Sequence, residues 1–313
     1  MLVHPVNMAM GSAEGRVVLS GVSGMLGSAL RSSLARRGTP TIQLVRGAAT
    51  EEHQLRWDPA RSQPITDNSK LESCLAAVHL CGANLAAKRW TAAYRREIVA
   101  SRAESTRGLA AVLGGLERPP RSFLVASAVG FYGDRGDELL TEASQTGTGF
   151  LADLCQQWEA AAEPAVRAGI RVVHLRFGVV LGPGHGALEK MLAPFRFGLG
   201  GKLGSGRQWM SWISLTDAMS AILFALETAS IGGPVNLTAP NPVTNSEFTR
   251  ALGRQLGRPT ILAVPAFALR IALGPMADEA LLTSTRAVPA KLQAAGFQFA
   301  HPTIEQALSA ALT

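Results

Sequence analysis

Cysteine, tyrosine and long apolar runs are all scarce in this chain. Only three cysteines occur, Cys74, Cys81 and Cys155, and their spacing matches no metal-ligand pattern. A disulfide framework is therefore not expected, and reduced thiols in a cytosol are. Tyrosine occurs twice, as Tyr94 and Tyr132. The longest apolar stretch, Ile261 to Ala277, is interrupted by Pro265, Arg270 and Pro275, which argues against a membrane span and leaves no membrane partner expected. Residues 1–15 lack both a basic start and a long apolar run, so they read as a disordered tail and not as a secretion signal. No histidine pair with metal-binding spacing, no nucleophile elbow and no Walker-type lysine loop occurs, so a metal is not expected. Acidic residues are outnumbered, 23 against 30 basic, for a net charge of +7. The basic residues are scattered and do not alternate with aromatics, so a solvated surface that attracts small anions is expected, with no nucleic-acid partner.

Glycine is abundant and pointedly placed. The apolar run Val17-Val18-Leu19 leads into Gly21-Val22-Ser23-Gly24-Met25-Leu26-Gly27, after which Leu26, Ala29, Leu30 and Leu34 recur at helical spacing as far as Gly38. A glycine-rich turn between a strand and a helix can cradle a pyrophosphate. The first glycine permits the tight turn, the second lets the backbone approach the phosphates, and the third lets the helix pack on its strand. Amides at the helix start then attract the anion. The next apolar run, Thr41 to Val45, ends at Arg46, where a cofactor with a free ribose hydroxyl would usually meet an acidic side chain. A guanidinium there pairs well with a 2′-phosphate, which favours NADP(H) over NAD(H); the other reading of Arg46 is a solvated loop arginine.

Further apolar strand candidates are Ala77 to Leu80, Ser122 to Ala126 and Arg171 to Leu175, with helical patterns at Thr91 to Leu113, Phe150 to Ala168 and Thr216 to Thr228. Such alternation predicts an α/β fold of Rossmann type, a doubly wound parallel sheet covered on both faces. Beyond Val235-Asn236-Leu237 the texture becomes short helices punctuated by prolines, which predicts a smaller, mostly helical C-terminal lobe. The expected division is a nucleotide-binding domain over 16–237, with a substrate-lobe insertion near 182–212, and a small domain over 238–313. Gly198 to Gly206 holds five glycines around Lys202 and reads either as a mobile lid or as a plain connector.

Several stretches together resemble the extended short-chain dehydrogenase/reductase superfamily: Gly21 to Gly27, Val78 to Gly82, Ser127 to Gly133, Leu175-Arg176 through Gly182-Pro183, and Trp212 to Asp217. Within it, Trp57-Asp58-Pro59, Arg89-Trp90, Ser101-Arg102, Ser127 to Gly133, Trp158 to Ala162 and Pro194-Phe195-Arg196 resemble an atypical, epimerase-like branch that carries a C-terminal domain of unknown function. The resemblance implies a dinucleotide across the carboxyl edge of the sheet. Its pyrophosphate would lie at Gly21, Ser23, Gly24, Met25, Leu26 and Gly27, and its adenosine phosphate at Val45 and Arg46. Leu80, Cys81 and Gly82 would supply backbone close to the ribose; Glu97 would accept ribose hydroxyls and Arg102 would anchor or orient neighbouring groups, each otherwise reading as a solvated helix charge; Val180 would back the nicotinamide or simply pack in the core.

The superfamily's acid–base pair is a tyrosine with a lysine four residues later, where the cation lowers an otherwise high phenol pKa. Neither tyrosine here has that lysine: Ile98 follows Tyr94 and Gly136 follows Tyr132 at that distance. Counting back from Trp158-Glu159, the two positions fall near Leu151 and Cys155. Tyr132 remains a candidate proton donor or a buried structural tyrosine, and Ser127 a candidate substrate contact or a turn residue. Lys202 and Trp212 are candidates to hold a substrate, or to pack the lobes. His79 reads as a core histidine, and His185 as a loop residue that could face the cleft. The expected activity is that of an NADP(H)-dependent oxidoreductase or epimerase on a small polar substrate, in a cytoplasmic protein of open oligomeric state. The competing reading is a non-catalytic NADPH-binding sensor.

Overall fold

The computed structural model describes residues 15–59, 65, 67–184 and 186–312. The predicted tail, apart from Gly15, and His185 lie outside the described residues. Seven strands form the central sheet: β1 (Val17–Ser20), β2 (Thr41–Val45), β3 (Gln54–Arg56), β4 (Ala76–His79), β5 (Ser122–Ala128), β7 (Arg171–Phe177) and β12 (Gly233–Leu237). Between them lie the short strands β6 (Leu139–Leu140), β8 (Val179–Leu181), β9 (Gly201–Leu203), β10 (Trp209–Met210) and β11 (Trp212–Ser214), and after them β13 (Val243–Thr244), β14 (Leu262–Val264) and β15 (Arg286–Ala287). The helices are α1 (Met25–Arg36), α2 (Ala92–Val99), α3 (Ser105–Gly114), α4 (Phe150–Ala160), α5 (Glu163–Arg167), α6 (Gly186–Arg196), α7 (Leu215–Glu227), α8 (Asn245–Leu256), α9 (Ala266–Leu273), α10 (Ala290–Ala294) and α11 (Ile304–Leu312).

The sheet order is β12-β7-β5-β4-β1-β2-β3, and every neighbouring pair is parallel. Parallel strands are buried on both faces, which is why β1 and β4 show no exposed position. The chain winds outward from β1 through β2 to β3 and then returns to place β4 on the other side of β1. That reversal opens a crevice at the carboxyl ends of β1 and β4, the place where open α/β sheets receive ligands.

One apolar cluster fills the space between the sheet and its covering helices, with Val18, Leu30, Val78, Leu109, Phe123, Val173, Ile222 and Val235 all fully buried. A second cluster joins Leu188, Leu192 and Phe195 of α6, Trp212 of β11, Phe248 and Leu252 of α8, and Ile304 and Leu308 of α11. The chain between β8 and β11 thus packs with the C-terminal segment. Among the described residues no helix is long and apolar enough to cross a membrane.

Three features depart from the sequence expectation. The lid or connector predicted over Gly198 to Gly206 contains a strand, β9, held by parallel pairing to β14, a partner about sixty positions away that no local pattern discloses. β3 was not expected, because three residues are too few for a periodicity to register. The long helix over Thr91 to Leu113 is continuous but holds a π-helical turn, Ala100–Glu104, between α2 and α3.

Candidate active site

The glycine turn does three separate jobs. Gly21 has φ +76, and a Cβ there would lie 2.7 Å from the Leu80 carbonyl carbon, so only glycine lets β1 turn against the end of β4. A Cβ on Gly27 would lie 2.1 Å from the Gly21 carbonyl oxygen, which is how α1 comes to sit so close on its strand. Gly24 differs from both. A Cβ there would meet only the Gly21 oxygen, at 3.4 Å, so its missing side chain serves open space. Gly24 caps α1 with no side-chain hydrogen bond, and the first turn of α1 carries no acidic residue. Helix-start amides and the positive end of the dipole therefore face outward beside Ser23, Met25 and Leu26, a suitable cradle for phosphate.

β2 and β4 flank β1, which brings Val45-Arg46 and Leu80-Cys81-Gly82 to the same sheet edge as the glycine turn. Arg46 is exposed and is free of hydrogen bonds and ion pairs among the described residues. Burial pushes the Cys81 thiol up, against smaller opposing effects of Ser20 and of the Arg46 charge. A thiol pushed up in this way is a poor nucleophile. Val180 is buried in β8, registered beside Ile213 of β11.

The π turn explains the two polar residues expected in the long helix. Its extra residue rotates Ser101 and Arg102 toward the loop after β4, where Ser101 Oγ accepts from the Ala83 amide at 3.0 Å and Arg102 Nη2 donates to the Ala83 carbonyl at 2.9 Å. Arg102 also lies over the Trp158 ring, 5.2 Å from its centroid, and a Cβ on Gly82 would touch its guanidinium at 3.0 Å. Burial lowers the Arg102 pKa. Arg102 thus clamps the loop after β4 to the helix. Glu97 faces solvent and pairs with Lys88 at 3.3 Å, so the structure does not bring Glu97 and Arg102 together.

Tyr132 is fully buried. Its hydroxyl donates to Asn236 Oδ1 at 2.7 Å and accepts from Arg176 Nη1 at 3.0 Å, and burial raises its pKa despite the Arg176 charge. The phenol proton is directed at Asn236, the arrangement expected of the buried structural tyrosine, which was the other of the two readings of Tyr132. Ser127 is also buried and donates to Glu159 Oε1 at 2.7 Å. Arg176 grips the same carboxylate with two bonds, Nε to Oε1 and Nη2 to Oε2, each 2.8 Å. Burial opposes charge on Arg176, and the hydrogen bonds and charge of Glu159 overcome it to leave its pKa raised. The guanidinium also stacks on Phe131, 3.5 Å from the ring centroid. Ser127, Glu159, Arg176, Tyr132 and Asn236 thus form one buried polar chain directly under the ends of β5, β7 and β12.

Sequence reasoning assigned no role to Glu159, Arg176 or Asn236. A signal was present, because an arginine inside the apolar strand Arg171–Phe177 requires a buried acceptor. Leu151 and Cys155 occupy the face of α4 turned toward Gly130, as the contacts a Gly130 Cβ would make show. Burial pushes the Cys155 thiol up to about 12, so neither position can exchange a proton near neutrality. Trp212 is fully buried and donates to the Asn241 carbonyl at 3.1 Å, the arrangement of the packing reading of the two given for it. Lys202 is exposed on β9, far in sequence and core from the buried chain. Among the described residues no group of three or more His, Cys, Asp or Glu could hold a metal ion.

His79 is the core histidine expected, held between Ser20 Oγ at 2.6 Å and Ser105 Oγ at 3.1 Å. Burial lowers its pKa from 6.5 to about 3. The folded state therefore favours neutral His79, a stabilisation fully present above pH 6.5 and lost as pH falls toward 3. Burial lowers the His174 pKa too and acts in the same direction. Between pH 7.5 and 5 the His79 contribution falls by about 2 kcal/mol. Urea unfolding at the two pH values should show this loss in the native chain and a smaller one in His79→Gln; equal losses would reject the assignment.

Comparison with known proteins places this geometry. Residues 17–237 match the family model described as NAD dependent epimerase/dehydratase family, and residues 264–311 match a Domain of unknown function (DUF1731). The chain belongs to the NAD dependent epimerase/dehydratase family. An epimerase family protein of Mycobacterium leprae is 46% identical over 306 residues, 98% of each chain. One of Bacillus subtilis, YfhF, is 36% identical over 295 residues, 94% of this chain and 96% of the relative. Among solved structures, human epimerase family protein SDR39U1 (isoform 2), crystallised with NADPH, superposes with a TM-score of 0.86 at 32% identity, covering 95% of this chain and 98% of that one. The family's α/β sheet and its helical C-terminal region are those described above.

Proposed function

We propose that this family member binds NADP(H) across the carboxyl edge of β1, β2 and β4 and acts as an oxidoreductase or epimerase on a small polar substrate. The observation that carries the nucleotide assignment is the pairing of the open, uncapped Gly24 turn with the unpartnered Arg46 one strand away. The NADPH in the human relative supports it. Gly21 to Gly27 would hold the pyrophosphate, Arg46 the 2′-phosphate, Leu80 to Gly82 the ribose and Val180 the nicotinamide. The bound nicotinamide would supply hydride transfer. The glycine-turn domain over 16–237 and the smaller lobe over 238–313 would enclose the substrate between them.

For the protein's own part, Ser127 Oγ gives its proton to Glu159, which leaves its lone pairs to accept a substrate hydroxyl. Arg176 holds the Glu159 carboxylate with two hydrogen bonds, which fixes the acceptor that orients the serine. A second reading, an NADPH-binding sensor without turnover, is supported by the count back from Trp158-Glu159, in which the tyrosine and lysine positions fall near Leu151 and Cys155, and by the raised pKa of that buried thiol. Following nicotinamide absorbance across a panel of small carbonyl compounds separates the two. Turnover that Ser127→Ala abolishes supports the enzyme, whereas silence with intact NADPH binding supports the sensor.

Arg46→Ala should weaken NADPH binding by about 1.5–3 kcal/mol, roughly ten- to a hundredfold, because a charge-assisted pair is lost. NADH binding should barely change. Calorimetric titration of both nucleotides gives the answer, and equal losses would remove Arg46 from the site.

A further inference from the structure

The exposed apolar surface of this protein is concentrated in one region. Among the described residues, eight large apolar side chains are exposed, and six of them belong to the segments flanking the β9–β14 pair: Phe197, Leu199, Ile261, Leu262, Phe267 and Ile271. Parallel pairing sets Gly201 beside Leu262, so the residues that lead into the two strands, Leu199-Gly200 and Thr260-Ile261, arrive side by side. The exposure is extreme at two tips, 79% for Phe197 and 88% for Ile261. An isolated exposed leucine needs no explanation, but Leu199 and Ile261 brought side by side, with Phe197 two residues before Leu199, do.

A basic groove adjoins these tips. Thr260 packs against Gly253 of α8, where a glycine Cβ would lie 2.3 Å from its methyl. Together they line a surface hollow of about 310 Å³ with Pro259 and three arginines, Arg250, Arg254 and Arg258. Arg254 pairs with Glu305 at 3.0 Å and lies in the last turn of α8, where a cation complements the helix dipole. Arg250 and Arg258 have no ion pair among the described residues. Neighbouring Lys202 is exposed on β9 as well.

We propose that this face, shared by the segment between α6 and β9 and the C-terminal segment, docks on the surface of an anionic phospholipid bilayer. Headgroup phosphates would sit in the arginine groove while Phe197, Leu199 and Ile261 enter the acyl boundary. Charge complementarity selects an anionic partner. A second copy of the same face would bring Arg250 and Arg258 against like charges. Shape separates lipid from an acidic peptide: the apolar side chains stand on projecting tips, and the hollow beside them is basic, whereas an amphipathic helix needs an apolar groove. Tips of this kind with flanking cations are how a protein without a span meets an interface. The expectation of no membrane partner rested on the missing span and did not address surface contact.

The test is co-sedimentation of the full chain with phosphatidylcholine vesicles containing about one third phosphatidylglycerol, against pure phosphatidylcholine. Binding should require the anionic lipid, weaken with salt, and fall about tenfold or more in Arg250→Glu/Arg258→Glu and in Phe197→Ser/Ile261→Ser. Circular dichroism and urea midpoints of both variants should match the parent, since all four side chains lie at the surface. Any of three results overturns the proposal: no anion-dependent sedimentation, retention of binding in both variants, or a concentration-dependent dimer in analytical ultracentrifugation that Phe197→Ser/Ile261→Ser abolishes. Capture of an acidic protein in place of the vesicles would overturn it as well.

Discussion

Replacing Gly24 by leucine should abolish binding of both NADPH and NADH while the fold survives. A Cβ at this position meets nothing closer than the Gly21 oxygen at 3.4 Å, so the backbone tolerates a side chain. The space that leucine would fill is the space over the α1 amides, where a pyrophosphate must come within hydrogen-bond reach. Loss of several charge-assisted hydrogen bonds amounts to about 3 kcal/mol or more, over a hundredfold in affinity. Gly27→Ala is the contrasting variant. Its Cβ would lie 2.1 Å from the Gly21 carbonyl oxygen, so α1 must move off β1 and stability must fall. Calorimetry with each nucleotide, paired with urea unfolding, distinguishes the two: Gly24→Leu changes affinity and Gly27→Ala changes stability. Nucleotide binding at parental strength in Gly24→Leu would remove the turn from the site.

Glu159→Ala should destabilise the protein by about 3–5 kcal/mol, because it leaves the buried Arg176 guanidinium without its carboxylate. The Arg176 side chain is only 4% exposed, so the guanidinium depends on its partner inside the fold. Ser127 loses its acceptor at the same time. Removing both charges should be milder: Glu159→Leu with Arg176→Met is expected to recover a large part of the loss, since a buried pair contributes less than its breakage costs. Urea unfolding of Glu159→Leu, of Arg176→Met and of the double variant forms the cycle. Additive losses would show that the pair is not coupled, and the account of the polar chain would fail with it. Glu159→Gln, which keeps a hydrogen-bond acceptor for Ser127, separates the charge from the hydrogen bond.

Much of the nucleotide-binding half was legible along the chain. The runs Val17 to Ser20 and Thr41 to Val45 coincide with β1 and β2, because strands buried on both faces are continuous apolar segments whose ends are marked by glycine and charge. β5 and β7 were recognised but cut short by two residues each, at Ser127-Ala128 and Arg176-Phe177. The omitted residues include the serine and arginine that anchor the buried polar chain, and polarity at a strand end looks like the start of a loop. Phe150 to Ala168 was read as one helix and is two, α4 and α5, broken near Ala161-Ala162. Alanines carry no signal for such a break, which local packing decides.

The residues expected to do chemistry were the least legible. Tyr132 stands out in a sequence with two tyrosines, yet its hydroxyl bonds Asn236, which is 104 positions later. Trp212 is likewise drawn inward by a core shared with α8 and α11. A one-dimensional pattern reports which residues are rare or periodic; it does not report which long-range partner consumes a hydroxyl or a ring.

By itself the chain determined the glycine-rich turn between β1 and α1, the alternation of strands and helices, and that neither tyrosine has a lysine four residues on, because each is carried by neighbours within a few residues of one another. Tertiary structure alone decided that Arg176 meets Glu159, that Tyr132 faces Asn236, that a π turn aims Arg102 at Ala83, and that β9 pairs with β14. These depend on strand order and helix rotation. Burial makes an unpaired charge or hydroxyl costly, so the folded chain must supply each with a partner, and only the assembled sheet determines which partner is in reach.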